Sequence, residues 1–177
     1  MIGKKMQDAI NKQINAEAYS AYLYMAMSAY FESINLKGFA HWMHMQAKEE
    51  LIHALKFFIY VNTTGGRVTL TPIAAPQKEW ASPLAAFDDA YAHEVKVTGM
   101  IHGLVDLALK EKDHAANSLL QWYVTEQIEE EESTSEIANK LKFIGKDTSA
   151  MYMLDRELAA RTPPVDPTVA GQGGAGA

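Results

Sequence analysis

The sequence contains no cysteine. It can therefore form no disulfide bond, thiolate metal site or cysteine nucleophile, and any metal must be held by oxygen and imidazole nitrogen. Basic residues are also few, with 16 Lys and Arg against 22 Asp and Glu and a net charge of -6. This mild acidity argues against sequence-independent nucleic-acid binding and suits a protein that handles cations.

The sequence also lacks a long hydrophobic run. No segment approaches the ~18 apolar residues that a membrane-spanning helix needs, and polar residues such as Lys4, Lys5 and Asp8 interrupt the first ten positions. We therefore expect a cytoplasmic, unprocessed protein with no membrane partner. The 177 residues, of which 48% are hydrophobic and 21% charged, have the composition of one globular domain.

Glycine and proline divide the chain into five segments that have the periodicity of α-helices. The predicted helices cover about residues 4–33, 38–64, 83–111, 114–144 and 148–160. Short links join the first helix to the second and the third to the fourth, so each of these pairs is expected to be antiparallel. The link at residues 67–82 is different, because its extended length of roughly 50 Å exceeds the roughly 40 Å of a long helix.

This arrangement predicts an all-α fold, namely a four-helix bundle with one long crossover between helices two and three and a short fifth helix. The domain is expected to cover residues 1–161. Residues 162–177 are rich in proline and glycine and are expected to form a flexible tail.

Each long helix has an apolar face that polar residues interrupt near its midpoint. The interrupting residues are Glu17, Glu50 with His53, Glu94, and Gln127 with Glu130. On the third helix the predicted face consists of Phe87, Tyr91, Glu94, Thr98, Ile101, Val105 and Ala108. Because every interruption lies near the middle of its helix, these side chains are expected to meet at one level of the bundle core.

Buried carboxylates need a counter-charge, and no Lys or Arg occupies these positions. Two divalent ions would supply four positive charges, and Glu50 and His53, three residues apart on one helix, can reach a common ion. A single buried glutamate would more often belong to an ordinary polar network. The combination on four helices instead predicts a pair of metal ions. Four-helix bundles that bind two metal ions commonly carry Glu-x-x-His on two helices. Here the fourth helix has Gln127 and Glu130 instead of a second such motif, so the two ions are expected to have different ligands.

Two further assignments have an alternative that the sequence leaves open. Glu49, Glu126 and Glu129 lie one position from face residues and could form a third metal site, or they could belong to a solvated acidic surface around residues 129–132. Tyr24 could hydrogen-bond a ligand carboxylate or supply an electron during oxygen reduction, or its hydroxyl could simply be satisfied in the core.

Several segments resemble the prokaryotic non-haem ferritins over about residues 4–160. They are QINAEAYSAYLY, HWMHMQAKEELIHALKF, GGRV, SPLAAF, HEVKVT and QWYVTEQIEEEE. The resemblance implies the ferritin-like fold and a ferroxidase that oxidises Fe(II) with dioxygen or hydrogen peroxide and stores ferric mineral in a homo-oligomeric cage of twenty-four subunits. It places one iron at Glu17, Glu50 and His53 and a second at Glu50, Glu94 and Glu130, with Gln127 either a weak ligand or a neighbour of the ligands.

The same resemblance separates this chain from related families. The haem-containing bacterioferritins carry a methionine ligand where this chain has Ile52, so no haem is expected. Full-length rubrerythrins need a cysteine-ligated iron domain, which a chain without cysteine cannot form. Two alternative functions remain open at this point: a di-iron oxidase or peroxidase that acts on a small substrate without a storage cage, and a bundle that binds metal only for stability.

Overall fold

The computed structural model describes residues 1–165. Five helices and no strand occur in this part of the chain, with α1 at Lys4–Ser33, α2 at Lys37–Thr63, α3 at Pro83–Glu111, α4 at His114–Ile144 and α5 at Thr148–Leu158. The predicted all-α architecture with a fifth short helix is confirmed. Residues 166–177 of the predicted tail lie outside the described range. No helix within residues 1–165 is long and apolar enough to cross a membrane.

Side chains of the preceding loops cap the N-termini of α3, α4 and α5. Ser82 accepts a hydrogen bond from the Ala85 backbone at 3.1 Å, with Pro83 in the first turn of α3. Asp113 accepts one from the Ala116 backbone at 3.0 Å at the start of α4, and Asp147 caps α5 in the same way. Each cap satisfies backbone amides that have no partner within their helix.

Contacts at the helix ends define the directions of the four long helices. The start of α1 lies near the end of α2, where the Ile2 amide donates to the Thr64 carbonyl at 3.0 Å. The start of α1 also meets the end of α3, through an ion pair of 3.0 Å between Lys5 and Glu111. Both α2 and α3 therefore run antiparallel to α1, and only a connection that spans the bundle can join them.

The crossover runs along the outside of α1, where three side-chain amides spaced four residues apart hold its backbone. Gln7 accepts from the Arg67 amide at 2.9 Å. Asn11 donates to the Arg67 carbonyl at 3.1 Å, and Asn15 donates to the Thr71 carbonyl at 3.1 Å. Residues three to four positions apart share a helix face, so these amides form a straight row that guides the crossover.

The buried face of α3 differs from the predicted one at three positions. Tyr91 is exposed, and Thr98 and Val105 are only partly buried, whereas the residues buried there are Ala90, Val97 and Leu104. Each buried residue lies one position N-terminal to the predicted one. A repeat of three then four residues fits a helix as well as four then three, so periodicity alone did not determine the rotation of α3.

A close approach at Gly38 attaches α5 to the start of α2. The Asp155 carboxylate accepts hydrogen bonds from the Gly38 and Phe39 amides at 2.7 and 3.1 Å. A Cβ atom on Gly38 would lie 1.6 Å from the Asp155 carbonyl oxygen, so only glycine fits without a shift of α5.

Replacing Gly38 by alanine is therefore expected to push α5 off α2 and to lower the free energy of unfolding by about 2 kcal/mol. Chemical denaturation followed by circular dichroism measures this change. Gly103 offers a matched control, because a Cβ atom there meets nothing within 4 Å. Equal stabilities for the two alanine variants would contradict the account of the α5 contact.

The apolar core is divided into two clusters, one toward each end of the bundle. One is built around aromatic residues that include Phe31, Phe39 and Phe87. The other contains Ile10, Phe57, Ile101 and Leu120. Between the clusters lies a layer of buried polar side chains, and this layer contains the residues predicted to bind metal.

Candidate metal centre

All six residues that interrupt the apolar faces are buried in the polar layer. Their exposed fractions are 2% for Glu17, 2% for Glu50, 2% for His53, 1% for Glu94, 3% for Gln127 and 4% for Glu130. They come from all four long helices. The burial of four glutamates at one level is the feature of this molecule that most needs a chemical explanation, because each ionised carboxylate loses its hydration there.

The buried carboxylates form two clusters of candidate ligands that share one residue. Glu17, Glu50 and His53 can place one ligand atom each within 4.8 Å of the others. Glu50, Glu94 and Glu130 can do the same. Glu50 belongs to both clusters, so its two carboxylate oxygens can serve two neighbouring ions. This geometry suits a pair of metal ions that Glu50 bridges.

Glutamine side chains hold the carboxylates in place. Gln13 donates to Glu17 at 3.0 Å, and Gln46 donates to Glu50 at 3.3 Å and also to Glu130. Both glutamines precede their partner on the same helix by one turn. The carbonyl oxygen of Gln46 is buried and has no hydrogen-bond partner among the described residues. Such an unpartnered acceptor beside carboxylates is consistent with a layer that is completed by a ligand.

The α3 and α4 side of the layer has its own hydrogen bonds. The Tyr24 hydroxyl donates to the Glu94 carboxylate, and Gln127 donates to the same carboxylate at 3.4 Å. Gln127 also lies 3.3 Å from the Thr98 hydroxyl. Tyr24 is therefore in direct contact with a candidate ligand, as one of the two open interpretations of this residue required.

Burial dominates the electrostatics of the layer. It is the largest cause of the rise in the pKa of Glu17, Glu50 and Glu94 to about 8, and the charge of Glu50 contributes to that rise at Glu17 and Glu94. Burial and the charges of Glu50 and Glu94 also raise the pKa of Glu130 well above its usual value. Among residues 1–165, none of the four buried glutamates forms an ion pair with Lys or Arg. Only protons or bound cations can therefore neutralise this layer.

The donor set indicates which cations fit. Four carboxylates, one imidazole and one amide are hard or borderline ligands, and no sulfur is present. Such a set suits first-row divalent ions and strongly favours a hard trivalent ion such as Fe(III). Of the two clusters that share Glu50, only the first contains the imidazole of His53, and the second has only oxygen donors.

Of the three glutamates suggested for a third metal site, only Glu126 lies in a cluster of candidate ligands. Glu126 forms a cluster with His53 and Glu130, and its carboxylate lies 3.9 Å from His53 Nε2. Glu129 is exposed, and Glu49 is partly buried and forms an ion pair with Arg161. Within the described part of the chain, neither Glu49 nor Glu129 belongs to a cluster of three candidate ligands.

Sequence reasoning missed Gln13 as a contributor to the layer and His93 as a partly buried contact of α1. His93 Nε2 lies 2.7 Å from the Ser20 hydroxyl, and burial lowers the pKa of His93 to about 4. A signal for Gln13 was present, since Gln13 precedes Glu17 with the same spacing by which Gln46 precedes Glu50. No comparable local pattern marks His93.

Comparisons with known proteins identify the family of this chain. The model of the ferritin-like domain matches residues 7–144. A bacterial non-heme ferritin from Staphylococcus saprophyticus is 41% identical over 162 residues, which cover 92% of this chain and 97% of that protein. One from Staphylococcus aureus is 38% identical, with 92% and 98% covered.

Solved structures give the same result. The crystal structure of an open pore ferritin from the archaeon Archaeoglobus fulgidus superposes with a TM-score of 0.91 at 54% sequence identity, and the match covers 92% of this chain and all of that one. A closed form of the same ferritin, engineered by site-directed mutagenesis, has a TM-score of 0.92 at 54% identity, covering 93% and 100%. The chain described here belongs to the ferritin family.

Proposed function

We propose that this protein is a ferroxidase and iron-storage subunit that oxidises Fe(II) at the buried pair of clusters. The observation that carries the proposal is the sharing of Glu50 between two groups of candidate ligands that form no ion pair with Lys or Arg in the described chain. Membership of the ferritin family supports iron as the cation. The cation is a substrate, which enters as Fe(II) and leaves as Fe(III).

The residues of this chain would hold the Fe(II) ions and stabilise the Fe(III) product. The glutamates release their protons and hold two Fe(II) ions side by side, with His53 near the first. Two Fe(II) ions supply two electrons, which with two protons reduce one dioxygen to hydrogen peroxide. The oxygen-rich donor set binds the more highly charged Fe(III) product more strongly, so it stabilises the oxidised state. Hydrogen peroxide, which accepts two electrons, is the alternative oxidant.

A homo-oligomeric cage is proposed from the family and from exposed apolar surface. On α2, Leu51, Leu55 and Ile59 follow one another at intervals of four residues and are 48%, 51% and 43% exposed. Tyr22 and Met25 on the neighbouring α1 are about half exposed. Several large apolar side chains exposed on neighbouring helices commonly mark a protein interface. Another copy of the chain would bury them.

The assembled, iron-free protein provides the test. When Fe(II) is added in air, we expect rapid oxygen consumption, absorbance from ferric iron, and retention of the iron in a particle of about 470 kDa, equal to twenty-four chains of 19.6 kDa. Oxidation by a monomer or dimer that retains no iron would instead support the small-substrate oxidase. No oxygen consumption would favour a bundle that binds metal only for stability.

Tyr24 is proposed to position Glu94 rather than to fill space. Replacing Tyr24 by phenylalanine removes only the hydroxyl that donates to Glu94. Loss of a hydrogen bond to a metal ligand typically weakens metal binding or activity at least tenfold, so we expect about a tenfold slower initial oxidation rate. Stopped-flow absorbance measures the rate, and rapid freezing followed by electron paramagnetic resonance shows whether wild-type Tyr24 also forms a radical. A Tyr24→Phe protein with the wild-type rate would show that the hydroxyl is only a core contact.

A further inference from the structure

Arg161, just after α5, folds back onto α2 through several contacts. Its guanidinium Nη2 lies 2.6 Å from the Glu49 carboxylate, and its Nη1 donates to the Trp42 carbonyl at 3.4 Å. The guanidinium carbon lies 4.3 Å from the centre of the Trp42 ring. The Arg161 carbonyl oxygen lies 2.9 Å from His41 Nε2. Contacts with α2 therefore hold both the backbone and the guanidinium group of Arg161.

The position of Arg161 depends on how α5 docks. Asp155 on α5 caps the start of α2 at Gly38, and Leu154 and Leu158 are buried against the bundle. These contacts bring the end of α5 alongside the first half of α2. The guanidinium then reaches Glu49, which is next in sequence to the bridging ligand Glu50.

The Glu49 carboxylate adds negative charge to this edge of the polar layer. Burial is the main cause of the raised pKa of Glu50, Glu126 and Glu130, and the charge of Glu49 adds to it, whereas the charge of Arg161 acts on Glu50 in the opposite direction. The free nitrogen of His53 also faces this edge. Its side chain is 3% exposed, and Nε2 makes no hydrogen bond to a described residue, the nearest carboxylate oxygen being that of Glu126 at 3.9 Å.

The edge therefore holds three donors close together, from His53, Glu126 and Glu130, and a fourth carboxylate that is turned toward a cation of the protein itself. Glu49 is 23% exposed and Arg161 21% exposed, so solvent can reach the ion pair and the pair can break. Glu49 and His53 are four residues apart and share a face of α2, so a Glu49 carboxylate released by Arg161 can turn toward a cation bound at this edge.

We propose that Arg161 competes with a third Fe(II) ion for Glu49 and thereby sets how tightly that ion is held. This inference rests on the proposed function. While Arg161 holds Glu49, only three donors are available to the third ion, and the guanidinium charge repels it. When Glu49 leaves Arg161, the site gains a carboxylate. The contact made by the segment after α5 thus keeps the third ion weakly bound and able to move on.

The experiment is a calorimetric titration of the assembled, metal-free protein with Fe(II) in the absence of oxygen. In the wild-type protein we expect two tightly bound ions and a weaker third. Replacing Arg161 by glutamine should tighten the third ion about fivefold, as expected for removal of one solvent-accessible ion pair. The affinity of the first two ions should change less than that of the third, because Arg161 forms no ion pair with Glu50 and acts on it only through its charge. Arg161→Lys, which keeps the charge, should behave like the wild type.

Glu49 provides the decisive comparison. In a Glu49→Gln background, Arg161→Gln should no longer change the affinity of the third ion, because the carboxylate for which the two cations compete is absent. Arg156→Gln is the matched control, since Arg156 is an exposed arginine on α5 without an ion pair to any described residue. This variant should titrate like the wild type.

Three outcomes would overturn the inference: an unchanged third affinity in Arg161→Gln, an equal effect of Arg161→Gln with and without Glu49, or no third ion in any variant. Each of these leaves the first two ions in place. Failure of the proposed function looks different, because the wild-type protein would then bind no Fe(II) in the bundle.

Discussion

Replacing Glu50 by alanine is expected to slow Fe(II) oxidation by at least about 100-fold. Glu50 is the one residue in both clusters of candidate ligands, so its loss removes a donor from each ion at once. Removing only an outer hydrogen-bond partner of a ligand commonly costs 10- to 100-fold, and the loss of a shared ligand should exceed this. Stopped-flow absorbance after mixing with Fe(II) in air gives the initial rate.

The variant should remain folded. In the metal-free protein the buried carboxyl of Glu50 is costly, so its removal offsets part of the packing lost with the side chain. Glu132→Ala is the matched control, because Glu132 is an exposed glutamate in the same acidic region of α4. A Glu50→Ala protein that oxidises Fe(II) as fast as Glu132→Ala would rule out the assigned centre.

The stability of the metal-free protein should decrease as the pH rises from 5.5 to 8. Burial raises the pKa of Glu17, Glu50 and Glu94 from 4.5 to about 8. Between these values the folded protein retains protons that the unfolded chain releases, so the free energy of unfolding falls with pH. We expect a loss of at least roughly 3 kcal/mol over this range, since this is the contribution of one such group alone, at about 1.4 kcal/mol per pH unit below its folded pKa.

A divalent ion should reverse this dependence. Metal binding requires deprotonated carboxylates, so the redox-inert ion Zn²⁺ should stabilise the protein more at pH 8 than at pH 5.5. Chemical denaturation at one fixed protomer concentration, with and without Zn²⁺, measures both trends. Glu17→Gln removes one titrating group without a large change in shape. It should make the metal-free protein more stable at pH 8 and flatten the pH dependence, and an identical dependence in the two proteins would contradict the raised pKa of Glu17.

The sequence was sufficient to predict the helices and the buried glutamates of the polar layer. Both rest on local patterns: helix ends follow from Gly, Pro and capping residues, and Glu17, Glu50, Glu94 and Glu130 stand out because each interrupts an apolar face. The long crossover was also predictable, since its length compared with that of a helix leaves few alternatives.

The rest depends on contacts between distant parts of the chain. The rotation of α3, which buries Ala90 and exposes Tyr91, is decided by its packing partners rather than by its own periodicity. The row of amides at Gln7, Asn11 and Asn15 resembles any polar helix surface until the crossover lies on it. Arg161 is separated from Glu49 by more than a hundred residues and becomes relevant only through the docking of α5.

Anomalous X-ray diffraction at the iron edge tests the central claim most directly, on crystals of the assembled protein loaded with Fe(II) without oxygen. The account predicts two strong peaks inside the bundle, one among Glu17, Glu50 and His53 and the other among Glu50, Glu94 and Glu130. Iron found only on the surface, or a bundle without anomalous peaks, would contradict it.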